Sequence, residues 1–271
     1  KNFSGRMDVM RNPMTFVIKV GTSTLTHEGG SLNLRRVREI VDVLADIRNM
    51  GHKTVLVTSG SIAVGVNRLG LCERPSDLPG KQATAAVGQC ELMNIYARLF
   101  AEYGYTVAQI LLTLDVIEHE TRKKNAVNTF ARLLEMGVLP IVNENDSIST
   151  YEIEHLNSFG ENDTLAAVVA RLAKADRLVL LSDIDGLYDA DPRTDPNAKL
   201  IPVVHKIDGD LEKAAGGAGT TLGSGGMLTK LTAAIIAMQG KIPMNIINGN
   251  KPSLLYDILA GKNPGTEFLC D

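Results

Sequence analysis

The segment of this chain most suited to chemistry is the glycine-rich stretch 216–230, GGAGTTLGSGGMLTK. Glycine backbone reaches conformations that other residues avoid and can lie flat against a ligand. An apolar, helix-like segment follows, and a helix N-terminus favours an anion through its free N–H groups and its positive dipole end. Thr229 and Lys230, which we place in the first helical turn, add a hydroxyl and an ammonium. The pattern predicts a phosphate-binding loop, although a flexible linker has a similar composition.

A second cation, Lys19, lies near the end of the apolar run 14–20, MTFVIKV. The run is typical of a buried strand, and a lysine at its end could extend its ammonium to water. The alternative is a lysine that neutralises phosphate at the carboxyl edge of a sheet. Gly21, just beyond the strand, would permit close approach of the backbone to a ligand.

Polar residues also follow two other predicted strands. Strand 54–57 leads into Thr58-Ser59-Gly60-Ser61, and strand 138–142 leads into Asn143-Glu144-Asn145-Asp146. Ser59 and Gly60 are therefore site candidates, although an ordinary helix N-cap explains them equally well. Grouped polar side chains at a strand end favour a binding role, because asparagine amides can donate to a carboxylate and Asp146 can accept from an ammonium. The alternative is a solvated turn.

Asn162 and Asp163 precede the predicted apolar helix 165–173. Acidic residues at a helix N-terminus are stabilised by the helix dipole, so a capping role is one interpretation. The other is that Asp163 holds the two lysines in place and Asn162 contacts a substrate. The preceding segment 149–159 alternates weakly and could form a hairpin or a flap over the site.

Strands and helices alternate along the sequence, which predicts an α/β fold with a parallel sheet and ligands at its carboxyl edge. No change in composition separates two domains, so we expect one domain over 14–271, with a soft division near Phe159 between a half that carries the Asn/Asp turn and a half that carries the glycine-rich stretch. The predicted strands are 14–20, 54–57, 105–112, 138–142, 177–181, 243–247 and 266–269, and the predicted helices are 34–50, 82–103, 125–136, 165–173, 227–238 and 252–260.

Composition narrows the classes of function. The 271 residues are 44% hydrophobic and 22% charged, with a net charge of −3, so there is no basic excess for nucleic acid. No apolar run approaches the roughly 20 residues of a membrane span. Residues 1–13 lack the apolar core of a secretory signal and are typical of a disordered leader or a cloning remnant. The three dispersed cysteines, Cys72, Cys90 and Cys270, favour a reducing, cytoplasmic compartment.

Several familiar motifs are absent. The sequence contains no G-x-x-x-x-G-K-[ST], no G-x-G-x-x-G and no G-x-S-x-G. Predicted strand-end turns and the glycine-rich stretch instead carry Lys19, Ser59, Asp146, Asp163, Asp183 and Lys230. Two lysines, backbone N–H groups and an organising carboxylate suit phosphoryl transfer, which depends on charge neutralisation and positioning more than on covalent help from the protein.

Six motifs follow one another from about residue 14 to the C-terminus: VIKVGTS at 17–23, VTSGSIA at 57–63, VNEND at 142–146, GEND at 160–163, SDIDGLY at 182–188 and GSGGMLTK at 223–230. In sequence and order they resemble the motifs of the glutamate 5-kinases, in the amino acid kinase superfamily. The resemblance implies a three-layer α/β/α sandwich on a mostly parallel sheet of roughly eight strands. It also implies transfer of the ATP γ-phosphate to the side-chain carboxylate of L-glutamate, giving γ-glutamyl phosphate, the first step of proline synthesis. By the same resemblance, 14–159 is expected to be the amino-acid-binding lobe and 160–271 the nucleotide-binding lobe.

By this resemblance, Lys19 and Lys230 flank the transferred phosphoryl group and Asp163 orients them. Glutamate is bound by Ser59, Gly60, Asn145, Asp146 and Asn162. ATP is bound by Lys19, Gly21, Ser182, Asp183, Tyr188, Ser224, Gly225, Gly226, Met227 and Lys230. Mg²⁺ bridges the ATP phosphates without protein ligands. Proline as a feedback inhibitor, a homodimer or homotetramer, and a glutamyl-phosphate reductase that receives the labile product are further implications.

Two departures and two alternatives accompany this resemblance. Many bacterial relatives carry a C-terminal PUA domain, which we do not find before Asp271, and Glu161 stands where relatives often have aspartate. The alternatives are another amino acid kinase, acting on acetylglutamate, aspartate, carbamate or a nucleoside monophosphate, and a non-catalytic subunit that binds a small molecule. The Asn143–Asp146 and Gly160–Asp163 motifs favour glutamate over the first. The presence of both lysines argues against the second.

Overall fold

A computed structural model describes residues 13–27, 30–148, 162–209, 211 and 224–270. Its centre is an eight-stranded sheet with the order β3-β4-β2-β1-β5-β7-β8-β6. The first six strands in this order are parallel, whereas β8 is antiparallel to β7 and parallel to β6. The strands are β1 Thr15–Val20, β2 Lys53–Val57, β3 Val107–Leu112, β4 Leu139–Glu144, β5 Arg177–Ser182, β6 Val203–Val204, β7 Met244–Asn248 and β8 Thr266–Phe268.

Helices connect the parallel strands. They are α1 Thr22–Leu25, α2 Leu34–Asn49, α3 Ser61–Leu69, α4 Leu78–Ala101, α5 Glu120–Glu135, α6 Asp163–Leu172, α7 Ser224–Gln239 and α8 Leu254–Leu259, with a 3₁₀ turn at Leu114–Ile117. None of the helices in the described ranges combines the length and the apolar character that a membrane span requires.

The core is divided by the sheet into two layers. Because successive side chains of a strand point to opposite faces, Val17 belongs to one layer and Ile18 to the other. Helices α5, α6 and α7 cover the first face, and helices α2, α4 and α8 cover the second. The predicted α/β/α sandwich on a mostly parallel sheet is confirmed.

Strand register brings the polar strand ends to one edge. Val57 lies beside both Lys19 and Val142 in neighbouring strands, so Thr58 and Asn143 follow at the same level. On the other side of β1, Val20 lies beside Leu181, which places Ser182 next to Gly21. Residues from widely separated parts of the sequence therefore line the carboxyl edge predicted for ligand binding.

Some element boundaries differ from the sequence prediction. The helix predicted at 227–238 begins at Ser224, so Lys230 lies in the second turn and not the first. Tertiary contacts have overridden the low helix propensity of glycine at this end. Strand β4 continues through Asn143 and Glu144, which are buried in the sheet and not in a turn. The predicted hairpin or flap at 149–159, and residues 216–223 of the glycine-rich stretch, lie outside the described residues.

Helices α3 and α4 are in backbone contact through two glycines. A Cβ atom on Gly88 would lie 1.7 Å from the carbonyl oxygen of Ser61, and one on Gly65 would lie 2.0 Å from that of Thr84. No side chain fits at either position unless the helices separate. This contact fixes the start of α3, and with it Ser61, relative to the sheet.

We therefore expect Gly88→Ala to destabilise the protein by about 1–3 kcal/mol, as overpacking of a close contact generally does. Because the displaced backbone belongs to Ser61, the same variant should also weaken ligand binding at the start of α3. Thermal unfolding and steady-state kinetics would measure the two effects. Gly209→Ala is a matched control, because a Cβ there would meet nothing within 4 Å. Equal behaviour of the two variants would contradict the role of the contact.

Candidate active site

Two lysines share one buried carboxylate at the carboxyl edge of the sheet. The Nζ atom of Lys19, in β1, lies 2.6 Å from Oδ1 of Asp163, and the Nζ atom of Lys230, in α7, lies 3.1 Å from Oδ2. Asp163 is completely buried, and Lys19 and Lys230 are only 3% and 6% exposed. The interpretation of Lys19 as a strand-end lysine extended to water is therefore wrong.

Residues in the first two turns of α7 complete the surroundings of this carboxylate. The hydroxyl of Thr229 lies 3.1 Å from Oδ2 of Asp163 and 2.9 Å from the carbonyl oxygen of Gly226. Lys230 also donates to that carbonyl oxygen, at 3.0 Å. Gly226 thus acts through its backbone. Its carbonyl oxygen accepts from Thr229 and Lys230, the two residues of α7 that also donate to Asp163.

The charge of Asp163 follows from its surroundings. Burial raises the pKa of this carboxyl, but the two ammonium groups lower it by more, so the pKa lies well below its usual range. Asp163 is therefore ionised at neutral pH. With two cations and one anion, the cluster has a net positive charge and can attract a further anion.

A second carboxylate, Asp146, lies just beyond β4. It accepts a hydrogen bond of 2.6 Å from the hydroxyl of Ser61, the first residue of α3. Gly60 precedes this helix with a φ of 93°, a left-handed conformation that favours glycine. Burial raises the pKa of Asp146, and the Ser61 hydroxyl and the charge of Arg74 partly oppose this rise. Asp146 is half-buried and can accept from a cationic ligand.

Asn162 is part of a chain of buried amides. Its Nδ2 atom donates to the backbone carbonyl of Thr58 and to Oδ1 of Asn143, both at 2.6 Å. Asn143 in turn donates from Nδ2 to Oε1 of Gln89, in α4, at 2.8 Å. Asn162 precedes α6 in the N-cap position, but its side chain makes no capping hydrogen bond, and the carboxylate of Asp163 faces the lysines. Asn162 therefore does not cap the helix with its side chain, whereas Asp163 lies in the first helical turn, where the dipole stabilises its charge, and also pairs with the lysines.

The predicted ATP-binding residues lie along the same edge. Ser182 ends β5 and donates to Oδ1 of the exposed Asp183, at 3.1 Å. Tyr188 is half-buried and donates to Asp185 at 3.3 Å. A Cβ on Gly21 would lie 3.3 Å from the Nζ atom of Lys19, so the backbone of Gly21 runs close to the ammonium. These positions are compatible with nucleotide binding.

The other predicted residues have the following positions. Met227 packs partly against the hydrophobic core, and Ser224 and Gly225 form the start of α7. Ser59 is half-buried before Gly60, which takes the N-cap position, so the N-cap interpretation of Ser59 is wrong. Asn145 is half-buried directly after β4 and donates its backbone N–H to Leu112.

The sequence prediction missed two residues of this site, Ser61 and Gln89. Ser61 belongs to a run of hydroxyl residues from which only Ser59 was selected, since adjacent positions cannot be ranked without the helix geometry. Gln89 had a detectable signal, because it is a polar residue on the buried face of α4, between Ala85 and Leu92. Buried amides of this kind generally have specific partners.

Comparisons with known proteins agree with this geometry. A sequence profile of the amino acid kinase family matches residues 14–248. A glutamate 5-kinase from Clostridium perfringens is 52% identical over 260 residues, covering 96% of this chain and 97% of that protein. A glutamate 5-kinase from Listeria welshimeri is 48% identical over 259 residues, covering 96% and 94%. The chain belongs to the amino acid kinase family and, within it, to the glutamate 5-kinases.

Solved structures of more distant proteins share the fold. The isopentenyl phosphate kinase of T. acidophilum superposes with a TM-score of 0.62 at 20% identity, covering 94% of this chain and all of that one. The UMP kinase of Ureaplasma parvum superposes with a TM-score of 0.63 at 16% identity, covering 96% and 100%. At these identities the likeness concerns the architecture alone.

Proposed function

We propose that this site transfers the γ-phosphoryl group of ATP to the side-chain carboxylate of L-glutamate. The observation that carries the proposal is the meeting of Lys19 and Lys230 on the single buried carboxylate of Asp163. An oxygen of the substrate carboxylate bonds to the γ-phosphorus while the bond to the β–γ bridging oxygen breaks. The products are γ-glutamyl phosphate and ADP, and the reaction is the first step of proline biosynthesis.

In this mechanism the lysines neutralise the phosphoryl oxygens. Ammonium groups fixed before the reaction stabilise negative charge in the transition state without reorganisation. Asp163 does not contact the phosphoryl group; its carboxylate keeps the two ammonium groups on one side of the sheet edge. The N–H groups at the start of α7 are further donors for phosphate oxygens.

The amino acid is proposed to bind on the other side of Lys19. Asp146 accepts from the α-ammonium of glutamate, and Ser61 holds that carboxylate in place. Asn162, Asn145 and the backbone around Ser59 and Gly60 complete the glutamate site. Ser182, Asp183 and Tyr188 are proposed to surround the nucleotide.

Mg²⁺ is proposed to arrive with the phosphates of ATP, and it supplies charge neutralisation at their oxygens when bound. Among the described residues, no group of three His, Cys, Asp or Glu side chains is placed to hold a metal ion. A cytoplasmic location, assembly into a homodimer or homotetramer, inhibition by proline and transfer of the product to a glutamyl-phosphate reductase are proposed from the family resemblance.

The direct test is ADP release with and without L-glutamate, with hydroxylamine present to trap the acyl phosphate as a hydroxamate. We expect glutamate-dependent ADP release and one hydroxamate per ADP. Acetylglutamate, aspartate, carbamate and a nucleoside monophosphate should not support comparable turnover. ADP release that is independent of glutamate, or that follows one of the other acceptors, would contradict the proposal.

A variant separates the amino-acid site from the nucleotide site. Asp146→Ala removes the acceptor for the α-ammonium, and a charged hydrogen bond lost in this way costs about 1.5–3 kcal/mol, or roughly 10–100-fold in the glutamate KM. The ATP KM should change far less. Ser147→Ala is the matched control, because Ser147 is the exposed neighbour. Equal changes in both KM values would exclude the amino-acid role of Asp146.

The raised pKa of Asp146 should make the glutamate KM depend on pH. The carboxyl accepts from an ammonium only when ionised, and its pKa lies above the ordinary aspartate value. The glutamate KM should therefore rise as the pH falls toward that raised pKa, at a higher pH than an exposed aspartate would require. Ser61→Ala removes a hydrogen bond that lowers the pKa, so it should move this rise to higher pH. An unchanged profile would refute the coupling.

A further inference from the structure

We propose that Gln89 is a positioning residue that sets the selectivity of the glutamate site through Asn143 and Asn162. Gln89 is in the middle of α4 and does not belong to any strand end. Its side chain is buried, with 8% exposure, and its Oε1 accepts a hydrogen bond from Nδ2 of Asn143. This inference rests on the proposed function, since it concerns how that site distinguishes its substrate.

The hydrogen bonds fix which atom each amide presents. The backbone carbonyl of Thr58 can only accept, so the atom of Asn162 that faces it must be Nδ2. Asn143 accepts at Oδ1 from the second hydrogen of that Nδ2 and from the backbone N–H of Glu144. Its own Nδ2 therefore points to Gln89. An Nδ2 atom carries two hydrogens, so both of those on Asn162 are committed.

This arrangement determines whether Asn162 presents a donor or an acceptor to a ligand. Since its donors are used within the protein, the atom left for a ligand is the carbonyl oxygen Oδ1, an acceptor. An acceptor suits the α-ammonium of glutamate and does not suit a carboxylate. The proposed site would therefore meet the ammonium with two acceptors, Asp146 and Asn162, and would discriminate against an analogue that lacks it.

Gln89 is the last acceptor in this series of hydrogen-bonded amides. If its Oε1 were absent, Nδ2 of Asn143 would be a buried donor without this acceptor, and an orphaned donor costs enough to favour displacement of the Asn143 side chain from its present position. Any such displacement weakens the hydrogen bond that Oδ1 of Asn143 accepts from Nδ2 of Asn162. Asn162 would then lose its fixed orientation. The Nε2 atom of Gln89 has no hydrogen-bond partner among the described residues, so the hydrogen bond that Oε1 accepts from Asn143 is what this buried amide contributes there.

The test compares L-glutamate with glutarate, which has both carboxylates but no α-ammonium. For each variant, the ratio of the glutarate inhibition constant to the glutamate KM measures the preference for the ammonium. We expect Gln89→Leu to lower this ratio about tenfold, the equivalent of one hydrogen bond, and to leave the ATP KM within about twofold. Gln89→Glu keeps an oxygen that can accept from Asn143, so it should retain most of the preference.

Tyr96→Phe is the control for a purely structural effect. Tyr96 lies on the same helix and makes a 3.0 Å hydrogen bond with the Thr58 hydroxyl, outside the amide chain. We expect this variant to lower Tm by about 2–4 °C with an unchanged ratio. If Gln89→Leu does not fold, Gln89→Met replaces it, because methionine has a similar length and no strong acceptor.

An unchanged ratio in folded Gln89→Leu or Gln89→Met would overturn the inference. It would also be overturned if Gln89→Glu were as impaired as Gln89→Leu, or if Tyr96→Phe lowered the ratio equally. The proposed function is tested separately by glutamate-dependent hydroxamate formation in the unmodified protein. If the unmodified enzyme makes the hydroxamate while all Gln89 variants keep the same ratio, the inference about Gln89 is wrong and the proposed function stands.

Discussion

Replacing Lys230 with alanine is expected to lower kcat by roughly 10²–10³-fold, the usual effect of removing one preorganised donor to transition-state charge. The glutamate KM should change little, because in the described part of the chain Lys230 donates to Asp163 and Gly226, on the side of Lys19 away from the proposed amino-acid site. Rapid-quench measurement of ADP formation would show whether the chemical step itself has slowed. Lys230→Arg should not restore the rate, since a guanidinium does not fit an enclosed ammonium site.

The controls for Lys230→Ala address charge and stability. Lys262→Ala removes an exposed lysine that pairs with Asp257 at 2.9 Å, and it should leave kcat unchanged. In Lys230→Ala itself, Asp163 keeps Lys19 at 2.6 Å, so we expect the variant to remain folded. Turnover close to that of the unmodified protein would reject the assignment of this helix to the phosphate.

The charged residues of this site could be selected from the sequence, and the structure brings Lys19, Asp163 and Lys230 together. Lys19 was placed at a strand end, Lys230 beside the glycine-rich stretch and Asp163 at a helix N-terminus, and the family resemblance implied that the three converge. The sheet places Lys19 in β1 between β2 and β5, and helices α6 and α7 bring Asp163 and Lys230 to it. The prediction of the fold succeeded because alternating apolar strands and amphipathic helices leave few topologies.

The prediction was weakest where the answer depends on neighbours distant in sequence. The burial of Asn143 within β4, and not in a turn, requires Gln89 and Asn162 as partners, and a local pattern names neither. The glycine contact between α3 and α4 was also missed, because glycine in a helical pattern has the same signature whether it is packed or exposed. The early start of α7 depends on what Thr229 and Lys230 bind.

Asp163→Asn is expected to lower stability by about 3–5 kcal/mol, because it leaves two ammonium groups buried without a counter-charge. For a chain of this size that is a fall in Tm of roughly 10 °C. We also expect kcat to fall by at least about 100-fold, since the lysines then repel each other. MgATP should raise the Tm of the variant more than that of the unmodified protein, because phosphate oxygens replace the missing anion.

Acidification provides an independent measurement of the same charge. The pKa of Asp163 is lowered in the folded protein, so its stabilising contribution is complete above the unfolded carboxyl pKa of about 4 and is lost as the pH falls toward the folded value. The difference in Tm between the unmodified protein and Asp163→Asn should therefore narrow only below about pH 4. A difference that narrowed above pH 5 would contradict the assignment.

A triple variant, Lys19→Met, Asp163→Leu and Lys230→Met, separates stability from catalysis. Buried ion clusters replaced as a whole by apolar residues of similar volume often leave stability unchanged or increase it. We expect the triple variant to recover most of the Tm lost in Asp163→Asn while forming no detectable hydroxamate. That outcome means that the cluster is retained for phosphoryl transfer. If the triple variant were as unstable as Asp163→Asn, the ion cluster would instead be a requirement of the fold, and its catalytic assignment would lose this support.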